Sequence, residues 1–161
     1  MPLEIEKKYL LKHLPDNLSD YPYQEIKQGY LPSPAPGSSR RVRQKDDKYI
    51  YTEKSGMGIA REENEHEISE EEFTRLWAET GEKRVSKRRY LIPYNSYTIE
   101  LDVYFENLNG LYTAEVEFPS VEEAENFTPP HWFGEDVSTS EEYRNKTLAE
   151  KGLPKDFKPL S

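Results

Sequence analysis

Side chains of an extended strand point alternately to two faces, so runs that alternate ionised and apolar residues commit a chain to sheet with one oily side and one ionic side. This chain repeats such runs through most of its length. In Leu3–Lys8, Glu4, Glu6 and Lys8 share one face while Leu3 and Ile5 take the other. Between residues 97 and 106, Ile99, Leu101, Val103 and Phe105 oppose Glu100 and Asp102. Between 111 and 118, Tyr112, Ala114, Val116 and Phe118 oppose Glu115 and Glu117. Glu63, Glu65 and Glu67 line one side of 61–68, Arg41 and Arg43 flank Val42, and Lys54 has the opposite parity to Tyr49 and Tyr51. Lys87 and Arg89 share a face of 83–92, and Ile26, Gln28 and Tyr30 share one of 24–31.

With 39–44 and 48–54 these make eight strand candidates, punctuated by a stop at Pro32–Gly37, a hairpin turn at Lys45–Asp47 and a glycine link at Ser55–Gly58. That link lacks the spacing and the GK[ST] ending of a nucleotide-binding phosphate loop. Ser69 caps a helix, with Glu72 completing the capping box, Phe73, Leu76 and Trp77 forming its buried stripe and Gly81 ending it. Ser120 caps a second short helix, and a third runs from about 141 to 151. Strands placed next to one another, with helices inserted singly, predict a mainly β protein with a few helices (α+β). The expected architecture is a closed eight-stranded antiparallel barrel with the helices packed outside.

Composition narrows the chemistry. The 161 residues fit one domain, expected over 1–152 with a peripheral tail at 153–161. Charged residues make up 33% and the apolar set 34%, too little oil for a conventional sandwich, although twelve tyrosines and six phenylalanines argue against disorder. A formal net charge of -9 excludes a broad basic surface for nucleic acid. The absence of cysteine excludes disulfides, thiolate ligands and cysteine nucleophiles. His13, His66 and His131 are too scattered for a zinc centre, His66 having the opposite parity to Glu65 and Glu67. Trp77 and Trp132 are expected in the core. No signal peptide or membrane span is legible, so the expected location is cytoplasmic, as a monomer or homodimer.

With the apolar rows facing outward onto helices, the charged rows face the lumen. A lumen holding Glu4, Glu6, Glu65, Glu67, Glu100, Asp102, Glu115 and Glu117 requires cations, because each uncompensated buried ion costs on the order of several kcal/mol. Lys8, Arg41, Arg43, Lys54, Lys87 and Arg89 supply part of them. Carboxylates without Cys or clustered His favour hard divalent ions, Mg²⁺ or Mn²⁺. Arg and Lys beside such an ion suit phosphate oxygens. The two signs together point to a metal complex of a linear phosphate chain.

The ExExK of Glu4, Glu6 and Lys8, followed in order by RVR at Arg41–Arg43, Lys54, EHE at Glu65–Glu67, ELD at Glu100–Asp102 and EVE at Glu115–Glu117, resembles the CYTH family, also called the triphosphate tunnel metalloenzymes. QGYL at Gln28–Leu31, WFGEDV at Trp132–Val137 and YRNKTLA at Tyr143–Ala149 resemble its short bacterial branch. The resemblance implies a barrel whose tunnel binds triphosphate and divalent metal. It implies phosphate contacts from Lys8, Arg41, Arg43, Lys54, Lys87, Arg89 and Lys146, the last closing over one mouth. Metal contacts fall to Glu4, Glu6, Asp102, Glu115 and Glu117. Glu4 or Glu6 would orient the attacking water, with Tyr30 and Lys87 assisting proton transfer or the leaving group. The implied activity is hydrolysis of inorganic triphosphate, with nucleoside triphosphates poorer substrates. A class IV-type adenylyl cyclase, a thiamine triphosphatase and a non-catalytic polyphosphate binder are the alternatives.

Overall fold

The computed structural model describes residues 4–33, 38–55 and 62–160. Leu3, most of the proline-rich stop and the glycine link beyond Ser55 lie outside the described residues. The strands are β1 (Glu6–Leu11), β2 (Tyr23–Leu31), β3 (Ser39–Lys45), β4 (Lys48–Ser55), β5 (Glu62–Glu67), β6 (Arg84–Tyr94), β7 (Tyr97–Tyr104), β8 (Tyr112–Glu117) and β9 (Phe133–Asp136). The helices are α1 (Glu70–Glu79), α2 (Val121–Glu125) and α3 (Asn145–Lys151). As expected, the Ser69 and Ser120 hydroxyls cap α1 and α2, accepting from the Glu72 and Glu123 amides. None of these helices is long and apolar enough to cross a membrane.

The strands form one antiparallel sheet in the order β5-β4-β3-β2-β6-β7-β8-β1-β9. This corrects the expected closed barrel of eight strands: the sheet is open and has nine. The reason lies in β9, a four-residue strand after Trp132. It pairs with β1 through Tyr9↔Asp136 and Leu11↔Phe133, so β1, flanked on its other side by β8, has no free edge to offer β5. The edge left at β5 carries Glu62, Glu63, Glu65 and Glu67, whose charges discourage pairing with another strand.

The apolar rows pack on the outer face as the alternation requires. Tyr9, Leu11, Ile99, Leu101, Ala114, Val116 and Phe118 form one cluster with Trp132 and Phe133, and Ala124 of α2 joins it. Leu31 and Val42 form another with Phe73 and Leu76 of α1, against which Trp77 packs. The third cluster departs from expectation. Tyr30, Val85 and Tyr104 have the parity of the ionic rows, yet they pack with Leu148 and Ala149, and Leu153 and Phe157 of the tail lean on the same cluster. So α3 sits on the ionic face and plugs one end of it, while α1 and α2 lie outside.

Gly29 marks how closely α1's end approaches the sheet. A Cβ there would lie 2.7 Å from Thr80 Cγ2 and 3.0 Å from Oγ1, a hydroxyl already held between the Trp77 carbonyl and Arg84 Nε. Gly29→Ala is expected to lower unfolding stability by about 1–3 kcal/mol, the usual effect of overpacking. Urea denaturation of Gly29→Ala alone and with Thr80→Ser checks this, the second substitution recovering part of the loss by removing the nearest carbon.

Candidate active site

Strand parity brings the expected residues onto one face. Tyr30, Arg41, Arg43, Lys54, Lys87, Arg89, Glu100, Asp102, Glu115, Glu117, Glu6 and Lys8 follow one another across β2, β3, β4, β6, β7, β8 and β1. The sheet curls, because the charge of Lys54 on β4, second in the sheet, acts on Glu6 of β1, eighth in it. The ionic face is therefore the floor and walls of a trough.

Its floor is a buried ion triad. Asp102 Oδ2 accepts from Lys87 Nζ at 2.8 Å and from Arg89 Nη2 at 3.0 Å, and Oδ1 accepts from Arg89 Nε at 2.8 Å. The Asp102 and Lys87 side chains are both fully buried. Burial alone would push the Asp102 carboxyl up, but Lys87 and Arg89 overcome it and hold it well below the ordinary carboxylate range. Both oxygens are taken, so Asp102, expected among the metal contacts, serves here as counter-ion to two cations.

Asp102 does not neutralise the floor. Burial lowers Lys87 to about 7, the pull of Asp102 being offset by Arg89 and Arg43. Arg43 is lowered to about 10 by burial and by Arg41 and Arg89. Neutral groups tie these cations down: Arg43 Nε donates to Gln28 Oε1 at 2.9 Å, and Gln28 Nε2 donates to the Tyr30 hydroxyl at 3.0 Å. Arg41 Nη2 donates to Thr52 Oγ1 at 3.3 Å and lies 3.8 Å from Glu65, while its buried Nε has no partner among the described residues. A floor with surplus positive charge and an idle guanidinium N–H is built for an anion.

Carboxylates crowd the rim. Burial, then repulsion from Glu115, Glu4 and Glu117, raises Glu6 to about 7 against the pull of Lys54. Glu63 is raised by burial in spite of Lys54, with Glu4 beside it. Glu100 is raised by burial although Arg89 Nη1 lies 3.4 Å away. Lys8 Nζ lies 3.7 Å from Glu115 and donates to the Tyr143 carbonyl at 2.5 Å. No three described carboxylates or imidazoles converge into a ready-made cage. The donor set nevertheless fits a hard divalent ion of the kind held by one or two carboxylates with a ligand's phosphates, since such an ion relieves the Glu6, Glu115 and Glu117 repulsion.

Some expected residues stand apart. Lys146 is exposed on α3, whose Asn145 instead accepts the Tyr104 hydroxyl at 2.7 Å. Glu67 is exposed at the end of β5. Glu4, although it lies ahead of β1, stays at the rim beside Glu6 and Glu63. His66 packs against the Tyr51 ring at a tilt, outside the trough. His13 and His131 meet with ring centroids 5.5 Å apart, also away from the ionic face. Lys45, Gln28, Thr52 and Glu63 share the trough but were not among the expected site residues. The signal was present for Lys45 and Glu63, since both continue the parity of rows already recognised.

Fold and site together define an antiparallel β protein whose ionic trough sets a cationic floor against a carboxylate rim. No family model matches the chain. It is 41% identical over 149 residues to an inorganic triphosphatase of Nitrosomonas europaea, covering 91% of this chain and 96% of that one. It is 32% identical over 165 residues to an inorganic triphosphatase of Acetivibrio thermocellus, covering 98% and 99%. Among solved structures it is similar to the inorganic triphosphatase NE1496, with a TM-score of 0.75, 37% identity and 96% and 99% of the two chains covered. A Pyrococcus horikoshii protein at 22% identity and a TM-score of 0.56, covering 77% and 84%, shares the fold. The chain belongs to the inorganic triphosphatase branch of the CYTH family, the triphosphate tunnel metalloenzymes.

Asp102→Asn tests the triad. Removing one partner of a buried ion pair leaves the others uncompensated, so the variant is expected to lose about 3–5 kcal/mol of unfolding stability in metal-free buffer. Chemical denaturation with chelator present measures it; a carboxylate whose only task was to bind metal would show no loss there.

Proposed function

We propose that this chain hydrolyses the terminal phosphoanhydride of inorganic triphosphate, with Mg²⁺ or Mn²⁺ as its resident ion. The observation that carries this is the uncompensated floor: two oxygens of Asp102 face Lys87 and Arg89, Arg43 has only neutral partners, and Arg41 Nε is buried and idle. A small, linear, highly charged anion answers all of them at once. The names of the relatives support the same substrate.

In this scheme Arg41, Arg43, Lys87 and Arg89 hold the phosphoryl oxygens from the floor, and Lys54 and Lys8 reach them from the walls. Arg forks match paired phosphate oxygens, so the guanidiniums fix the chain's orientation as well as its charge. Glu115 and Glu117, with Glu6 and Glu4 nearby, would hold the ion, which when bound neutralises phosphate oxygens and acidifies water. Glu6 orients the attacking water and takes its proton on a carboxylate oxygen, a task suited to a group titrating near neutrality. The new bond forms between water oxygen and the terminal phosphorus, and the bond to the bridging oxygen breaks. Diphosphate leaves with its developing charge against Lys87 and Arg89. The Tyr30 hydroxyl, which burial keeps protonated and which accepts from Gln28, retains its own proton to donate to a phosphate oxygen. Positioning and fixed charge do most of the work, as phosphoryl transfer requires.

A substrate panel with purified protein decides the reaction. Orthophosphate released from triphosphate with Mg²⁺ or Mn²⁺, and abolished by chelator, is the expected outcome. Cyclic AMP from ATP would make it a cyclase, preferential turnover of thiamine triphosphate a thiamine triphosphatase, and binding without turnover a sensor or carrier.

Three further outcomes are expected. Glu115→Gln lowers turnover by about a hundredfold or more, the scale for losing a principal transition-state contact, with the circular dichroism spectrum unchanged. Arg41→Ala instead raises KM by at least about tenfold with a smaller change in kcat, as steady-state kinetics will read. Mg²⁺ or Mn²⁺ added to chelator-treated protein raises the melting temperature, and Glu115→Gln with Glu117→Gln removes most of the rise.

A further inference from the structure

Gln28 of β2 lies opposite Arg43 of β3, and Tyr30 follows two residues on, so strand alternation turns both side chains onto the trough face. Gln28 is completely buried. A buried amide needs hydrogen bonds at both ends, and here the partners fix which end goes where. A guanidinium donates and accepts nothing, so the end facing Arg43 Nε at 2.9 Å has to be the amide oxygen. The other end is therefore the NH₂ group, which donates to the Tyr30 hydroxyl at 3.0 Å.

Tyr30 is left one choice. Its ring is packed with Val85, Tyr104 and Leu148, so only the O–H bond can turn, and a phenolic O–H lies near the ring plane on one side or the other. The Gln28 N–H holds one side of the oxygen, and the Arg41 guanidinium acts on the same oxygen. Among the described residues the hydroxyl hydrogen has no acceptor. The charges that act on it, Arg41 and Arg43, are cations and offer none. A buried hydroxyl whose oxygen is already taken, and whose hydrogen has nowhere to go within the protein, is set to donate to an incoming oxygen.

We propose that Gln28 is a positioning residue for the hydrolysis: pinned by Arg43, its amide occupies the Tyr30 oxygen and turns the Tyr30 O–H toward the phosphate chain. This rests on the proposed function and adds to it the residue that sets the direction of one donor. Gln28 acts through Tyr30 rather than on the substrate.

Gln28→Glu is the deciding substitution, because it keeps the shape and the bond to Arg43 but replaces the donor with a second acceptor. The Tyr30 hydrogen then turns to the carboxylate and is lost to the phosphate. Steady-state kinetics with triphosphate and Mg²⁺ are expected to show kcat about tenfold lower, the effect of one hydrogen bond, and as low as in Tyr30→Phe. In the Tyr30→Phe background the same substitution leaves kcat within about twofold, its added charge registering in KM. Unchanged kcat in Gln28→Glu, or losses that multiply in the double variant, overturns the positioning role. Neutron diffraction from deuterium-exchanged crystals reads the same point without turnover: the Tyr30 deuteron points away from Gln28 in the wild type and toward the introduced carboxylate in Gln28→Glu. A wild-type deuteron aimed at Gln28 overturns the inference. One aimed into the trough, in a protein that releases no orthophosphate, overturns the hydrolytic function and leaves the orientation by Gln28 standing.

Discussion

The bond set around Asp102 is the constraint from which the site follows. A sheet that turns ionised side chains inward must compensate them within hydrogen-bonding distance, because water is excluded where Lys87 and Asp102 sit. Asp102 does this for Lys87 and Arg89 at once, which lets strands β6 and β7 carry charge in a closely packed interior. One carboxylate against two neighbouring cations, with Arg43 near enough to feel both Arg89 and Asp102, leaves the balance positive. That imbalance makes the trough an anion site, and it is eased where Gln28 and Thr52 each accept from a guanidinium, and Tyr30 from Gln28, without adding negative charge.

The carboxylates adjoin this floor, with Glu100 facing Arg89 and Glu115 acting on Lys87 and Arg89. Glu6, Glu115 and Glu117 gather where β1 and β8 run side by side, in the register Glu6↔Glu117 and Lys8↔Glu115, with Lys8 set among them and Lys54 of β4 acting on Glu6. The fold therefore presents two unfinished charge balances, one positive and one negative, on adjoining strands. A phosphate chain with a divalent ion completes both. The plug of α3 on Tyr30 and Tyr104 fills one end with oil and a single Asn145 contact, so the charged groups are reached from elsewhere along the open sheet.

Parity was legible in the sequence, and it gave the face of nearly every charged residue. What parity does not give is neighbours. Asp102 and Glu115 both read as inward carboxylates, and only the cross-strand register, Arg89↔Asp102 against Lys8↔Glu115, separates a counter-ion from a rim acid. Closure was misjudged because β9 is four residues long, follows two prolines and shows no alternation, while its pairing consumes the edge that a closed barrel needs. The inner seat of α3 was hidden for a similar reason: Leu148 and Ala149 announce a buried stripe but not which side of the sheet buries it. Lys45 was assigned to a turn although the alternation of β3 runs through it.

A crystal structure of the protein with triphosphate and Mn²⁺, located by the metal's anomalous scattering, tests the account most directly. The account predicts phosphate oxygens on Arg41 Nε, Arg43 and Lys87, and a metal peak between the phosphates and the Glu115 and Glu117 carboxylates. Phosphate bound on the outer face, or a metal peak beside Asp102 with Lys87 and Arg89 turned away from it, would contradict it.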